Sequence, residues 1–434
     1  MNVLIVGSGG REHVIAETVA KSKKEPIIFA VMSKKNPGIA KLCKDYLLSN
    51  EVDTQKIVNY ALINKIDIAF IGPEAPLAAG IVDELEDKGI KSIGPKKEVA
   101  RIEFDKAWTR KFMQKYNIEG CPKFGVFNNE TEAISFIDTL ESVAIKPAGL
   151  TGGKGVKVTG DQLQTLDDTK AYVRHVLEKD TVVIEEKLIG EEFTLQAFSD
   201  GHTLAFAPTV QDHKRAFEGD KGPNTGGMGS YNSSSILLPF LTDDDLYKAK
   251  NIMLDTIKYL KEETSELYKG VIYGQFILTK YGPKVIEFNA RFGDPEAMNI
   301  LPLLKTDFLD VATAIHNESL KDLIVEFDKK ATVCKYAVPE GYPDNPVKDA
   351  KIKIEDTGDA LLFYSSVYEH EGIIYTTGSR SIAVVGISDE IEMAEQIAQN
   401  ALDNIDGRVF SRRDIGTSKL IEQKMHNMKK IIND

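Results

Sequence analysis

Val285-Ile286-Glu287-Phe288-Asn289-Ala290-Arg291-Phe292-Gly293-Asp294-Pro295-Glu296 is the stretch on which the reading of this chain turns. Its first five residues alternate as a strand does, because side chains on a strand point to opposite faces with a period of two. The alternation predicts Ile286 and Phe288 on one face and Glu287 and Asn289 on the other. A carboxylate and an amide oxygen side by side suit a hard cation such as Mg²⁺, which takes oxygen ligands and usually carries a substrate phosphate. Arg291, two residues on, adds a guanidinium that can fork onto phosphate or carboxylate oxygens. A bare Glu-x-Asn is more often a solvated strand face. With Arg291, Asp294 and Glu296 following so closely, a metal-nucleotide site with an anion clamp is the better reading.

The chain has 434 residues, too many for one ordinary core, so two to four domains are expected. At 42% hydrophobic and 28% charged, its composition is that of a soluble globular protein. A formal net charge of −12 argues against a nucleic-acid partner, which needs a basic face. The three cysteines, Cys43, Cys121 and Cys334, are far apart. That spacing offers neither a zinc site nor a disulfide framework and fits a reducing cytoplasm. There is no signal-peptide pattern, and no apolar run approaches the roughly 18 residues of a membrane helix. A cytoplasmic protein without membrane contact is expected.

Outward from the opening stretch, residues 1–102 alternate strand and helix, with strands at Val3–Val6, Pro26–Met32, Ile66–Ile71 and Lys88–Ile93. This predicts an N-terminal doubly wound parallel sheet. Phe104, Trp108 and Phe112, spaced i, i+4, i+8, predict one helix opening a central α+β region at 103–327. Within it, residues from about 121 to 190 read as a lid unit. There the strand Val143–Lys146 leads into Gly149-Leu150-Thr151-Gly152-Gly153-Lys154-Gly155, and Val156–Val158 returns. Residues 191–327 carry further strands and a long glycine-rich loop. Residues 328–434 read as a small C-terminal α+β domain of short strands and one helix, Glu390–Ile405.

Gly7-Ser8-Gly9-Gly10-Arg11-Glu12 invites the dinucleotide fingerprint but lacks its third glycine, and Met32-Ser33-Lys34 replaces the expected ribose-binding acid. NAD is therefore disfavoured. The glycine turn at a helix N-terminus still suits an anion, against the plainer reading of a tight packing turn. Gly152–Gly155 is not a P-loop, because Gly155 stands where Ser or Thr belongs. Backbone amides of a hairpin lid can nonetheless close over phosphates. Lys106 and Lys146 could reach phosphate oxygens, although a lone lysine is usually a surface charge. The strand end Glu185-Glu186-Lys187-Leu188 could offer main-chain groups to an adenine. Gln211–Arg215 and Gly222–Gly229 form a long polar loop of the kind that is functional or disordered. His213 within it is a candidate base, though a lone histidine more often only hydrogen-bonds.

Together these motifs resemble the phosphoribosylamine–glycine ligase (glycinamide ribonucleotide synthetase) family of ATP-grasp enzymes in purine biosynthesis. The most specific segments are Gly9–His13, Gly72–Leu77, Gln211–Arg215, Gly222–Gly229 and Glu287–Glu296, in the family's order, with Arg413–Gly416 near the end. The chain departs from the family in the Lys146–Gly155 loop, at Ala290 where cysteine is common, and at Gln275 where a small residue is common.

The resemblance implies ligation of glycine to 5-phosphoribosylamine, with ATP going to ADP and phosphate through a glycyl phosphate. It implies ATP and Mg²⁺ (or Mn²⁺) as cofactors, with Glu287 and Asn289 as metal ligands. Lys106, Lys146, Gly153, Lys154, Gly155, Glu185, Leu188 and Glu192 would hold the nucleotide. Gly10, Arg11 and Glu12 would hold the sugar phosphate, with Asp212, Lys214 and Asp294 on the amine side. Arg291, Lys146 and Asp294 form the implied catalytic set. Rival readings are another ATP-grasp ligase or carboxylase, and a non-catalytic nucleotide-binding module. The short length after Gly416 leads to the expectation of a monofunctional chain, acting as a monomer or weak homodimer.

Overall fold

The computed structural model describes residues 1–150 and 155–433. Its N-terminal sheet has five parallel strands in the order Asp45–Leu48, Ile27–Met32, Asn2–Val6, Ile68–Ile71 and Lys91–Ile93. The two-residue period divides the central strands between two cores. Leu4, Val6, Phe29 and Val31 enter one, and Val3, Ile5, Ile28, Ala30 and Met32 enter the other. A sheet buried on both faces is the doubly wound arrangement the sequence predicts. The edge strand Asp45–Leu48 was not predicted. Its residues are half-buried or exposed, so it lacks the apolar run that marks its neighbours.

The aromatic triplet does not lie on one helix. Phe104 ends the helix Lys97–Phe104, and Trp108 and Phe112 belong to a second, Lys106–Lys115. Asp105 breaks the two apart, and its carboxylate caps the second helix by accepting from the Trp108 amide at 2.9 Å. Packing still explains the aromatics, since Trp108 stacks on Phe112 at 5.2 Å between centroids. The break has a functional consequence: it delivers Glu103 and Lys106 in different directions from one short segment.

Beyond it, the lid unit is an antiparallel sheet in the order Phe124–Phe127, Val182–Glu186, Val143–Pro147 and Lys157–Val158, backed by the helices Glu130–Ile137 and Leu166–Leu177. A second antiparallel sheet carries the opening motif, in the order Leu204–Phe206, Glu191–Asp200, Lys269–Thr279 and Gly282–Asn289. The helix Asp243–Thr264 packs on it, started by a Thr242–Asp245 capping box.

Residues 211–232 are not the long loop expected. Gln211–Asp212 and Gly229–Asn232 are strands that join Ala331–Pro339, Ile382–Ser388 and Leu361–Tyr364 in one sheet. Between them Arg215–Phe217 and Lys221–Asn224 form a hairpin. Their polar, glycine-rich composition hides strands that depend on Gly229–Asn232, whose partner Ala331–Pro339 lies about a hundred residues away. The C-terminal region also holds two helices, not one: Ile391–Asp403 and Ser418–Asn433. Among the described residues, no helix is long and apolar enough to cross a membrane.

The C-terminal unit depends on one close approach. Gly386 lies on Ile382–Ser388 beneath the helix Ile391–Asp403, and a Cβ there would collide with the Ala394 carbonyl oxygen. That obstacle is backbone and cannot rotate away. Gly386→Ala should therefore cost about 1–3 kcal/mol, read as a lower midpoint in urea unfolding; an unchanged midpoint would show that the helix can lift without cost.

Candidate active site

The motif strand is not a regular ladder. Gln275 pairs with Glu287, but Phe276 pairs with Val285, so Ile286 is an extra residue in a β-bulge. The bulge changes the predicted facing. Val285 and Phe288 enter the core, whereas Ile286 turns to the same cleft as Glu287 and Asn289. The prediction that Ile286 and Phe288 share a face is therefore corrected. Two carbonyls near the bulge accept from buried cations: Val285 and Ile286 from Arg110 Nη2 at 3.0 and 2.6 Å, and Ile286 also from Lys146 Nζ at 3.3 Å.

The cleft beside this strand has a volume of about 700 Å³. Its lining includes Lys106, Lys146, Glu185, Leu188 and Glu192. Lys106 Nζ donates to the Gly149 carbonyl at 2.8 Å, where the lid loop begins. Lys146 Nζ donates to Glu185 Oε2 at 2.8 Å, and Arg110 Nε to Glu185 Oε1 at 2.7 Å. Burial alone would raise the Glu185 pKa, but Arg110 and Lys146 outweigh it and hold the carboxyl down to about 2. Glu185 is thus an internal counter-ion, and only its main chain is left to meet an adenine. Glu192 accepts from Gln275 Nε2 at 2.6 Å, and Gln275 Oε1 accepts from Lys214 Nζ at 2.6 Å. Gly153 and Lys154 lie outside the described residues; Gly155 is anchored by the Tyr172 hydroxyl, which donates to its carbonyl at 2.8 Å.

The same lining includes Arg11, Asp212, Lys214, Arg291 and Asp294. Arg291 Nη2 donates to Glu103 Oε1 at 2.8 Å and to Asn289 Oδ1 at 3.1 Å, and Nε lies 3.5 Å from Glu74. Burial opposes the Arg291 charge, but Glu103 and Glu74 more than compensate and raise its pKa. Glu103 itself is pushed up to about 7, chiefly by burial. Asp294 accepts from the Tyr336 hydroxyl at 2.6 Å and faces Arg380 at 3.3 Å.

Gly10 and Glu12, unlike Arg11, do not line the cleft. Glu12 Oε2 takes the Gly9 amide at 2.6 Å and Oε1 takes Arg11 Nε at 2.6 Å, so an internal anion already answers the glycine turn. Gly10 packs where a Cβ would meet the Tyr336 hydroxyl at 2.8 Å. His213 is buried with both ring nitrogens unpartnered, and burial lowers its pKa to about 3, which makes it a poor base.

Among the described residues, the nearest cation to the Glu287 carboxylate is Lys214 Nζ, at 4.0 Å. Lys214, Lys146 and Lys106 overcome burial and keep that carboxyl below its ordinary pKa, hence charged. A charged carboxylate and an amide oxygen on one cleft wall fit a hard divalent cation.

Three family models cover the chain: phosphoribosylglycinamide synthetase N domain over residues 1–103, its ATP-grasp (A) domain over 104–297 and its C domain over 332–418. The chain belongs to this family. It is 60% identical to the phosphoribosylamine–glycine ligase of Methanosarcina barkeri, over 99% of this chain and 100% of that one. Its structure is similar to the crystal structure of phosphoribosylamine–glycine ligase from Thermotoga maritima, with a TM-score of 0.81 at 28% identity over 95% of this chain and 100% of that chain. The biotin carboxylase domain of Hydrogenobacter thermophilus 2-oxoglutarate carboxylase matches with a TM-score of 0.72 at 14% identity over 99% and 93%, a likeness of fold alone.

In this synthetase fold several residues that sequence reasoning missed shape the cleft. Glu74 lies inside the recognised Gly72–Leu77 segment, so its presence was legible but its partner was not. Glu103, Arg110, Arg380 and Lys424 carry no local signal; each finds its partners only through folding. Of these, Arg110 gives the clearest test. Arg110→Met should cost about 3–5 kcal/mol, because it strips a partner from a buried carboxylate. Glu185 stabilises the fold above its ordinary value of 4.5 and loses that contribution as pH falls toward 2. Acid unfolding of the variant should therefore begin at higher pH, and matching acid-unfolding curves would refute the pairing.

Proposed function

We propose that this chain joins glycine to 5-phosphoribosylamine, with ATP going to ADP and phosphate, as a step of purine biosynthesis. The observation that carries the reading is one cleft lined by Glu287, Asn289 and Arg291 together with Lys106, Lys146, Arg11, Asp294 and Lys214. A carboxylate is a poor electrophile, so glycine is first phosphorylated by ATP to glycyl phosphate. The amine of phosphoribosylamine then attacks the acyl carbon and phosphate leaves.

Phosphoryl transfer of this kind rests on positioning and charge neutralisation. Glu287 and Asn289 would hold Mg²⁺ or Mn²⁺, which neutralises the ATP phosphates. Lys106 and Lys146 bind those phosphates with the lid residues Gly153, Lys154 and Gly155, Lys146 exchanging its contact with Glu185. Leu188 and the main chain at Glu185 border the adenine, and Glu192 the ribose. Arg291, aimed by Glu103 and Glu74, stabilises the transferring phosphoryl group. Arg11 meets the sugar phosphate, with Gly10 and Glu12 fixing its position, and Asp294 lines the amine side. Lid closure keeps water from the acyl phosphate. We divide the chain at 1–102, 103–327 and 328–434, and place the enzyme in the cytoplasm as a monomer or weak homodimer.

The deciding assay is ATP-dependent phosphate release that requires both glycine and phosphoribosylamine; release with bicarbonate or formate instead would favour a different ATP-grasp ligase. Arg291→Ala should lower turnover roughly 10²–10³-fold, the scale of losing one charge-stabilising donor, and unchanged turnover in the folded variant would remove Arg291 from the mechanism. Glu287→Gln should shift the metal-activation curve to higher Mg²⁺; a curve superimposable on wild type would make the metal assignment wrong.

A further inference from the structure

The hairpin formed by Arg215–Phe217 and Lys221–Asn224 carries a cluster of charges that the ligation leaves unused. Its tip is pinned to the C-terminal segment. The Gly219 amide donates to Asp414 Oδ2 at 2.9 Å, and Asp220 accepts from Arg412 Nη1 and from Lys424 Nζ, each at 2.7 Å. Arg412 is 1% exposed, and it also donates to Asp414 at 2.9 and 2.7 Å and to the Arg215 carbonyl at 3.2 Å. Lys424 lies 3.1 Å from Glu191 Oε2, on the strand Glu191–Asp200. At the base of the hairpin, the Thr225 amide and hydroxyl both donate to the Lys214 carbonyl, at 2.7 and 2.8 Å. Bonds at both ends make this hairpin a fixed post, not a free loop.

Arg215 stands on that post and reaches the lid. Its Nη1 donates to the Gly222 carbonyl across the hairpin at 2.8 Å, and its Nη2 forms an ion pair with Asp161 Oδ2. Asp161 belongs to the turn after the lid strand Lys157–Val158. That turn is itself built to hold its shape: the Gly160 amide donates to the Leu163 carbonyl at 2.8 Å, the Val158 amide to Gln162 Oε1 at 3.0 Å, and Lys187 Nζ to the Thr159 carbonyl at 2.9 Å. Among the described residues, one other ion pair joins the lid unit to the rest of the chain, Arg110 with Glu185, and it is buried. The Arg215 and Asp161 side chains are 21% and 39% exposed, so water can solvate both partners when the pair opens. A pair of that kind is weak, which suits a contact that breaks and re-forms in each turnover. Burial lowers the Arg215 pKa and Asp220 opposes the effect, but a guanidinium stays charged near neutral pH.

We propose that Arg215 and Asp161 are a latch that holds the lid down on the hairpin, with Arg215 a positioning residue for the ligation; the assignment rests on the ligase reading above. The latch matters after glycine has been activated and before the amine arrives. If the lid lifts then, water attacks the acyl carbon of glycyl phosphate. The bond from that carbon to the phosphate oxygen breaks, glycine and phosphate leave, and the proton of the water passes to solvent. One ATP is consumed and no amide bond is formed. The latch thereby sets how much ATP is consumed for each amide bond. Because the post is bonded to Asp414 and Lys424, the C-terminal segment fixes where the lid comes to rest. Lys424 lies on the helix Ser418–Asn433, just past the C-domain match at 332–418.

The test measures the leak on the full chain: slow phosphate release with ATP and glycine in the absence of phosphoribosylamine. Asp161→Asn and Arg215→Gln should each raise the leak roughly two- to fivefold, the range of one part-exposed ion pair. Salt supplies a second measurement, because it screens exposed charges. Added KCl should raise the wild-type leak toward the level of the variants and change the Asp161→Asn leak little. A leak unchanged in both variants would overturn the latch. So would slower ligation without any rise in the leak, which marks a merely structural effect, and so would equal salt responses in wild type and Asp161→Asn. Wild type that forms no amide bond with both substrates would defeat the ligase reading. Wild type that ligates, with a leak indifferent to Asp161→Asn, would defeat the latch alone.

Discussion

Arg110 is the side chain on which the geometry of the cleft depends. Its guanidinium holds Glu185, on the lid sheet, and the carbonyls of Val285 and Ile286, on the motif sheet, in one buried cluster. Those two sheets face each other across the nucleotide side of the cleft. A buried guanidinium needs its donors satisfied, and the planar fork satisfies them only when both sheets are in place. The β-bulge at Ile286 is part of the same solution, because it exposes an oxygen that a regular ladder would have used. Lys146 completes the cluster from a third strand.

Electrostatic order in the rest of the cleft follows from similar pairings. Arg291 is surrounded by carboxylates from distant parts of the chain, Glu74 near the N-terminal sheet and Glu103 at the end of a helix. Arg11 is bound to Glu12 and to the Phe292 carbonyl, which ties the first helix to the motif. Arg380 reaches from the C-terminal sheet to the Gly226–Gly227 turn and Asp294. Lys424, on the last helix, joins Glu191 and Asp220. Each cation is therefore both a wall of the cleft and a clasp between units.

Much of the fold was legible wherever the pattern is local. Alternating apolar strands and helices in the first hundred residues give a doubly wound sheet, since period-two burial on both faces leaves a plain trace. Glu287 and Asn289 were legible as a spaced pair for the same reason, being two apart on one strand, with Arg291 two residues beyond its end. Strands at Gln211–Asp212 and Gly229–Asn232 were not, because the polar Gly229–Asn232 becomes strand by pairing with a hydrophobic strand about a hundred positions on, and Gln211–Asp212 pairs in turn with Gly229–Asn232. The single helix expected through Phe104 and Phe112 failed at Asp105, whose capping role outweighed an aromatic spacing that suits one helix or two.

The sequence by itself determined the chemistry available: hard oxygen ligands, phosphate-seeking cations and a glycine-rich lid, in an order that resembles one family. Those features rest on residue type and short spacing, which folding does not alter. Tertiary structure decided which groups are free to act. It made Glu185 a counter-ion, paired Glu12 with Arg11, turned Ile286 into the cleft and left Asp212 Oδ1 without a hydrogen-bond partner among the described residues. The reason is physical: charge pairing and desolvation depend on distance in space, and the partners concerned lie far apart along the chain.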